Sequence, residues 1–500
     1  MPERFVLDGA AVVTVDGAEH AEGHVVVDGG RIAAVGAGRA DPGLGERIDV
    51  RGCLITPGLV DAHQHLYQWV TRGFAPDAPL FDWLTSLYPV WAGLDEDCAH
   101  AAAAAGAARL ALSGATTIAD HHYVFPRDGG DVFGAVIAAA GSIGVRLHAV
   151  RGCMDRGRSR GGLPPDSLVE DADVALAGTD AAIGRFHDPS PGSVVRIAVG
   201  PCSPFSVGER LLRDAAELAR ARGVRLHTHL AETAEEERRC RAEFGRTPVE
   251  HADALGWLGP DVWLAHTAHL SAAEVSRLAE TGTGSAHCPS SNGRLGAGTA
   301  PLRELLDAGV RVGLGADGAA SNEAGGIGEE MRQALLTARA RRGGAPPGAR
   351  DRRGAALPAE RDRPGTARPE DADLPGAATS ADRSRGPAAL SVREALFAAT
   401  LGGARCLGRQ DELGSLRPGK LADLAVWRLD GLGHAGIEDP VAALVLGPLP
   451  PLRLLLRGGR RVVEDGALTA VSEVDLARDL RAASGRIRAR SGARHGEVAR

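Results

Sequence analysis

Lysine is all but absent from this 500-residue chain: of 57 basic residues only Lys420 is a lysine, and the other 56 are arginine. A metal pair bridged by a lysine side chain is therefore excluded from everything upstream of residue 420. The bias reads as GC-rich coding, which also fits the abundance of alanine and glycine. The arginines are interleaved with acids, and a net charge of −7 gives no footing for a nucleic-acid polymer or an anionic membrane. Paired cysteines are missing too. Cys53, Cys98, Cys153, Cys202, Cys240, Cys288 and Cys406 are scattered, odd in number and without a CxxC pair. No apolar run approaches the roughly 18 residues of a membrane span. Met1-Pro-Glu-Arg runs straight into a strand pattern, with no secretion signal before it. These absences predict a cytoplasmic protein with reduced thiols.

What is present is ordinary for a globular protein: 44% hydrophobic and 24% charged residues, in a chain long enough for two domains. Residues 4 to 56 alternate in short strand-like pieces with Gly and Asp at the bends, a β-meander too small to close a core alone. A similar texture returns in LADLAVWRL, LRLLLRGGRRVVEDG and ALTAV. The two ends are expected to join in one small β-sandwich, from 1–56 and 407–470. Between them, apolar strand candidates recur at 59–63, 115–120, 144–150, 194–200, 223–229, 262–266, 283–287 and 310–317, separated by stretches of helical spacing. Eight strand–helix repeats predict an α/β fold, a (β/α)8 TIM barrel over 57–406. Residues 341–389, rich in Pro, Gly, Ala and charge, lack apolar periodicity and read as a disordered insertion whose deletion should spare the fold. Residues 471–500 read as one amphipathic helix and a frayed basic end.

The polar residues that close these apolar runs carry the chemistry. His63 and His65 are two apart in a strand and so face one side. His229 and Asp317 close later runs. Histidine and carboxylate suit a borderline divalent cation, and open coordination lets such a site activate water. His227 faces the same side as His229 but a layer deeper, where a core histidine is expected. Glu232 follows as a general acid/base, and His266 closes DVWLAH, with His269 as the competing residue. Gly313–Gly318 matches GxGxxG, but at the eighth strand of a barrel and with no clean helix after it, so a dinucleotide site is not expected. Cys202 reads as a pocket thiol rather than a nucleophile. Pro201-Cys202 lacks the second cysteine of the zinc nucleobase deaminases that use PCxxC.

With these residues placed, the chain resembles the deaminase branch of the amidohydrolase superfamily. The segments that carry the resemblance are ITPGLVDAHQHLYQWVTRG, LFDWLTSLYPVWAGL, SGATTIADHHYVFP, GPCSPFSV, HTHLAET, LAHTAHL, HCPSSNGRLGAG, GLGADGAASNE and LGSLRPGKLADLAVW. They cover most of the chain outside 341–389 and the tail. Binuclear relatives bridge two metals with a carboxylated lysine at the end of the fourth strand. Here that end is Val199-Gly200-Pro201-Cys202, so one ion is expected, and ring opening of hydantoin or dihydroorotate type is disfavoured.

The resemblance implies zinc held by His63, His65, His229 and Asp317, with Glu232, His266 and Asp317 moving protons. The implied reaction is hydrolytic removal of the amino group of a purine, 8-oxoguanine first, giving urate and ammonia. Hydroxy-triazines, guanine and other amino-heterocycles are the alternatives, and a catalytically dead scaffold is a third reading, opposed by the intact set of six. Gln68, Trp91, Tyr123, Cys202 and Ser203 are the expected contacts of the flat ring. Relatives often form dimers, though no periodicity here marks an interface. Two departures from the family pattern stand out: Gly293, where a larger side chain is expected, and the long insertion. Either would alter the mouth of the pocket.

Overall fold

The computed structural model describes residues 3–343 and 389–492. Most of the expected insertion, residues 344–388, and the last residues of the tail, 493–500, lie outside the described residues.

The N-terminal residues form β1 (Arg4–Val13), β2 (Glu19–Asp28), β3 (Arg31–Ala37), β4 (Glu46–Asp49) and β5 (Cys53–Pro57). The C-terminal residues add β14 (Leu424–Arg428), β15 (Leu452–Arg457), β16 (Arg460–Glu464) and β17 (Ala467–Leu468). The two ends do meet, in one continuous nine-stranded sheet ordered β17-β16-β15-β14-β5-β1-β2-β3, with β4 on β1. The join is antiparallel β14 on β5, from Leu424 opposite Pro57 to Arg428 opposite Cys53. Phe5, Leu7, Val25 and Val27 from one end share a buried core with Leu424, Val426, Leu454 and Leu456 from the other. Neither end could bury these side chains alone, which is why the fragments belong together.

Between the ends, β6 (Leu59–Gln64), β7 (Ala115–His122), β8 (Arg146–Cys153), β9 (Val195–Pro201), β10 (Arg225–Leu230), β11 (Val262–His266), β12 (Gly284–His287) and β13 (Arg311–Leu314) form a closed parallel barrel. Closure runs through Leu314 opposite Asp61. All residues of β6, β7 and β8 are buried, the reason these runs read as continuous rather than alternating hydrophobicity. The connecting helices carry their own punctuation. Ser271 and Glu274 form a capping box before Ala272–Thr281, and Gly223, left-handed at φ 65°, ends Glu209–Arg222 two residues before β10.

Strand boundaries differ from expectation most at two barrel strands. The third barrel strand starts at Arg146 because Gly144, at φ 93°, still closes the helix Val132–Ile143, and it runs on to Cys153, which pairs with Pro201. The eighth stops at Leu314 rather than 317. A Cβ on Gly315 would stand 2.8 Å from His63 Cβ, so the chain passes close against β6 and then leaves the sheet. Asp317 therefore sits on a loop, three residues beyond the strand. The tail helix, Glu473–Ser491, buries Ala483 and Ile487 and pairs Arg490 with Asp95 at 2.6 Å. Among the described residues no helix is long and apolar enough to cross a membrane.

Candidate active site

The C-terminal ends of the barrel strands bring together His63, His65, His229, Glu232, His266 and Asp317, all of them buried. Among the described residues seven that are not glycine have left-handed backbone, and four stand here: Ala231 (φ 54°), His266 (70°), Thr267 (45°) and Asp317 (59°). Such conformations cost roughly 1–3 kcal/mol each and persist only where the surroundings fix them. All four stand at the end of a barrel strand or within three residues of it.

The hydrogen bonds define which ring nitrogens are free. His65 Nδ1 donates to the His121 carbonyl oxygen (2.6 Å), and His229 Nδ1 donates to that of Cys202 (2.6 Å). His227 Nδ1 donates to the Trp263 carbonyl oxygen (2.8 Å), which leaves its Nε2 to accept the Nδ1–H of His63 (2.8 Å). Burial lowers the pKa of His63, His229 and His227, and brings His65 to about 3, so all four rings are neutral. His63, His65 and His229 thus present bare Nε2 lone pairs to one point. The Nε2 atoms of His65 and His229 are 3.0 Å apart, and Asp317 Oδ1 lies 3.3 Å from His65 Nε2 and 3.5 Å from His63 Nε2. Lone pairs and a carboxylate this close repel one another unless a cation stands between them. Ligand atoms on a tetrahedral zinc ion are spaced by roughly 3.4 Å, so the donor set fits such an ion in both chemistry and spacing. His63 Nε2 is buried with no protein partner, as that fit requires.

Beside this group His266 Nε2 stands 3.7 Å from Glu232 Oε1 and 3.8 Å from Asp317 Oδ2. Its other nitrogen, Nδ1, donates to Asn292 Oδ1 at 2.9 Å. Burial opposes protonation of this ring, but the two carboxylates raise its pKa above the ordinary value. Burial lifts Glu232 to about 7, so it holds a proton for part of the time near neutrality. The main-chain N–H of Glu232 is fixed by Glu236 Oε2 at 2.7 Å. His269 turns away and bonds the Ala297 carbonyl oxygen (2.6 Å), which leaves His266 as the residue in the cluster.

These groups open on a cavity whose empty space, the solvent at its open mouth included, is about 380 Å³. Gln68, Tyr123, Cys202 and Ser203 line it as expected. Trp91 does not. It is buried behind the wall, edge-on to Tyr67, Trp83 and Tyr88, with its indole N–H on Thr71 Oγ1. The helix Leu80–Trp91 turns Trp83 and Tyr88 to the cavity instead. The GxGxxG match makes room rather than a phosphate cradle: a Cβ on Gly318 would overlap Gln68, as one on Gly315 would crowd His63. At Gly293 a Cβ would meet nothing within 4 Å.

Sequence reading passed over His121, Asn292, Glu236 and Tyr88. His121 closes β7 within Asp120-His121-His122, the same strand-end signal that marks His63. One nitrogen from it lies within 4.8 Å of one from each of His63, His65 and His229, and its ring stacks on His229 at 4.8 Å. Its Nε2 donates to the Gly200 carbonyl oxygen at 2.7 Å.

Residues 54–352 and 377–459 match the amidohydrolase family. An 8-oxoguanine deaminase of Pseudomonas aeruginosa is 41% identical, over 95% of this chain and 96% of its own. An isoxanthopterin deaminase from an unknown prokaryotic organism is 34% identical, over 96% of both chains. The crystal structure of an atrazine chlorohydrolase from Arthrobacter aurescens TC1 complexed with zinc superposes with a TM-score of 0.83 at 32% identity, covering 96% of this chain and 100% of that one.

Proposed function

The chain belongs to the amidohydrolase family, and from that premise we propose that it is a zinc-dependent deaminase of an oxo-purine, converting 8-oxoguanine and water to urate and ammonia. The observation that carries this reading is the convergence of three bare Nε2 atoms and the Asp317 carboxylate at a cavity that Glu232 and His266 also face. His63, His65, His229 and Asp317 would hold one divalent ion. Such an ion, when bound, lowers the pKa of water from about 15.7 to roughly 7 and so supplies a nucleophile at neutral pH.

The protein's side chains do the rest. Glu232, poised near 7, gives its proton to the ring nitrogen beside the amine-bearing carbon as that carbon becomes tetrahedral. The attacking water loses two protons, one to His266 on attack and one to Asp317 as the hydroxyl on the tetrahedral carbon becomes the carbonyl; one leaves on ammonia and the other restores Glu232. His266, standing between two carboxylates with Asn292 fixing its far nitrogen, is placed to return a proton toward the departing ammonia through Glu232. Gln68, Tyr123, Cys202 and Ser203 would hold the ring. Each of these proton-handling groups is in place, which speaks against an inert scaffold.

The relatives support a fused oxo-ring as substrate, since both deaminases named above act, by name, on one. Hydroxy-triazines stay the second reading, supported by the structural likeness to a hydrolase that acts, by name, on a triazine. All seven cysteines are unpaired, which supports action in a reducing compartment, the cytoplasm. The test is ammonia release by zinc-loaded protein offered 8-oxoguanine, guanine, isoxanthopterin and hydroxy-triazines side by side. Preference for 8-oxoguanine with urate appearing in the ultraviolet is expected. Turnover confined to another heterocycle would move the substrate and keep the chemistry. Silence on the whole panel with metal verified would end this reading.

A further inference from the structure

The chain has three tyrosines in 500 residues, and all three are buried at the cavity or just behind it. Tyr88 and Tyr123 line it, and Tyr67 lies behind, 5.8 Å from Tyr123 ring to ring. Tyr88 is the informative one. Leu80, Trp83, Leu84 and Tyr88 are the face that the helix Leu80–Trp91 turns to the cavity. Trp83 satisfies its indole N–H on the Ala320 carbonyl oxygen at 3.0 Å. The hydroxyl of Tyr88 is fully buried and has no nitrogen or oxygen partner; only the Cys202 thiol reaches it.

A buried, unpaired hydroxyl costs about 1–3 kcal/mol, and phenylalanine would fill the same wall without it. A phenol and a thiol both carry their protons at neutral pH, so Tyr88 and Cys202 are both donors. The two are neighbours on the wall. No nitrogen or oxygen of the protein accepts from Tyr88 and the Cys202 sulfur accepts only weakly, so a strong acceptor has to come with the ligand. A ring nitrogen has one lone pair for two such donors, whereas a carbonyl oxygen has two.

We infer that Tyr88 is a specificity-determining residue, whose hydroxyl donates to a ring carbonyl oxygen of the heterocycle and so selects oxo-substituted rings. This rests on the deaminase reading above and deepens it. The site, on this account, discriminates by leaving a buried donor unpaired whenever the ring lacks oxygen at that position.

The experiment compares full-length, zinc-loaded wild type with Tyr88→Phe. Binding is followed by quenching of tryptophan fluorescence, with Trp83 in the cavity wall, in a Glu232→Gln background that stops turnover. Binding of 8-oxoguanine is expected to weaken about tenfold in Tyr88→Phe. Binding of 2,6-diaminopurine, which has no ring carbonyl, should stay within twofold, and the ligand-free melting temperature should hold or rise. In the active background KM should rise about tenfold with kcat within threefold. Equal binding of 8-oxoguanine to both proteins, or an equal loss for 2,6-diaminopurine, would overturn the inference and leave the deaminase reading standing. A wild type that neither binds nor turns over any oxo-heterocycle would overturn both.

Discussion

His227 Nε2 lies 2.8 Å from His63 Nδ1, deep in the barrel, and decides which nitrogen of His63 faces the site. His227 is itself held by the Trp263 carbonyl oxygen and stacks on the Trp263 ring at 4.4 Å. The chain Trp263–His227–His63 thus orients a residue proposed as a ligand through one that stands outside the proposed ligand set.

Replacing His227 with phenylalanine keeps the stacking and removes the acceptor. We expect the fold to survive and zinc affinity to fall about 10- to 100-fold, the usual effect of losing a partner that orients a ligand. Competition with a chromogenic chelator reads this directly. Affinity within twofold of wild type would mean that His63 is oriented by something else.

Glu232→Gln keeps the shape of the side chain and its place beside His266 but loses the exchangeable proton. Zinc content should stay at the wild-type level, while kcat falls at least about 100-fold. Near-normal turnover would refute the assigned proton transfer. His229→Ala, by contrast, should lose zinc and turnover together.

What the sequence made legible, and what it did not, divides along physical lines. Period and punctuation located the eight barrel strands and the six clustered polar residues, because a parallel strand buried on both faces is an unbroken apolar run that ends where its first polar residue turns inward. Trp91 and Tyr88 could not be told apart in that way. They are three residues apart on one helix, and which of them meets the cavity depends on how that helix lies against the barrel. Asn292 and Glu236 were hidden for another reason: they act through hydrogen bonds to His266 and Glu232, and their segments show no metal-ligand spacing. The extra length assigned to the eighth strand came from reading Gly315 to Asp317 as strand residues, when Gly315 is needed for close approach to His63.

Glu330 gives a pH dependence. Its carboxylate, buried, accepts from the Ser290 main chain (3.1 Å) and from Asn322 Nδ2 (2.9 Å), and Asn322 also holds the Ala316 carbonyl oxygen beside Asp317. Burial raises its pKa from the model-compound 4.5 to about 8. The folded state therefore binds more protons than the unfolded state between those values, so stability falls as pH rises from about 4.5 to 8, with a slope of at most about 1.4 kcal/mol per unit. Below 4.5 both states are protonated, and above 8 both are ionised, so the slope vanishes. Glu330→Gln should flatten the decline of denaturant-derived stability over that window. An unchanged slope would show that Glu330 does not titrate there.

Arg146 and Asp423 join the barrel to the sheet of chain ends at the opposite end of the molecule from the cavity. Arg146 opens β8, and its guanidinium meets Asp423 in a two-pronged pair, Nε to Oδ2 at 2.7 Å and Nη2 to Oδ1 at 3.0 Å. Both side chains are 2% exposed. The remaining prong donates to the Gly192 carbonyl oxygen (2.6 Å), and Asp423 accepts the Gly458 N–H at the turn from β15 to β16 (2.7 Å). Removing one partner strands the other charge in a dry interface, so Asp423→Ala or Arg146→Met alone should destabilise by about 3–5 kcal/mol. The double variant should lose less than the sum, because neither charge is then left unpaired, and a double-mutant cycle gives the coupling. Since neither residue lines the cavity, KM at a temperature where all variants are folded should be unchanged. Single variants within about 1 kcal/mol of wild type would show that the pair does not tie the two parts of the chain together.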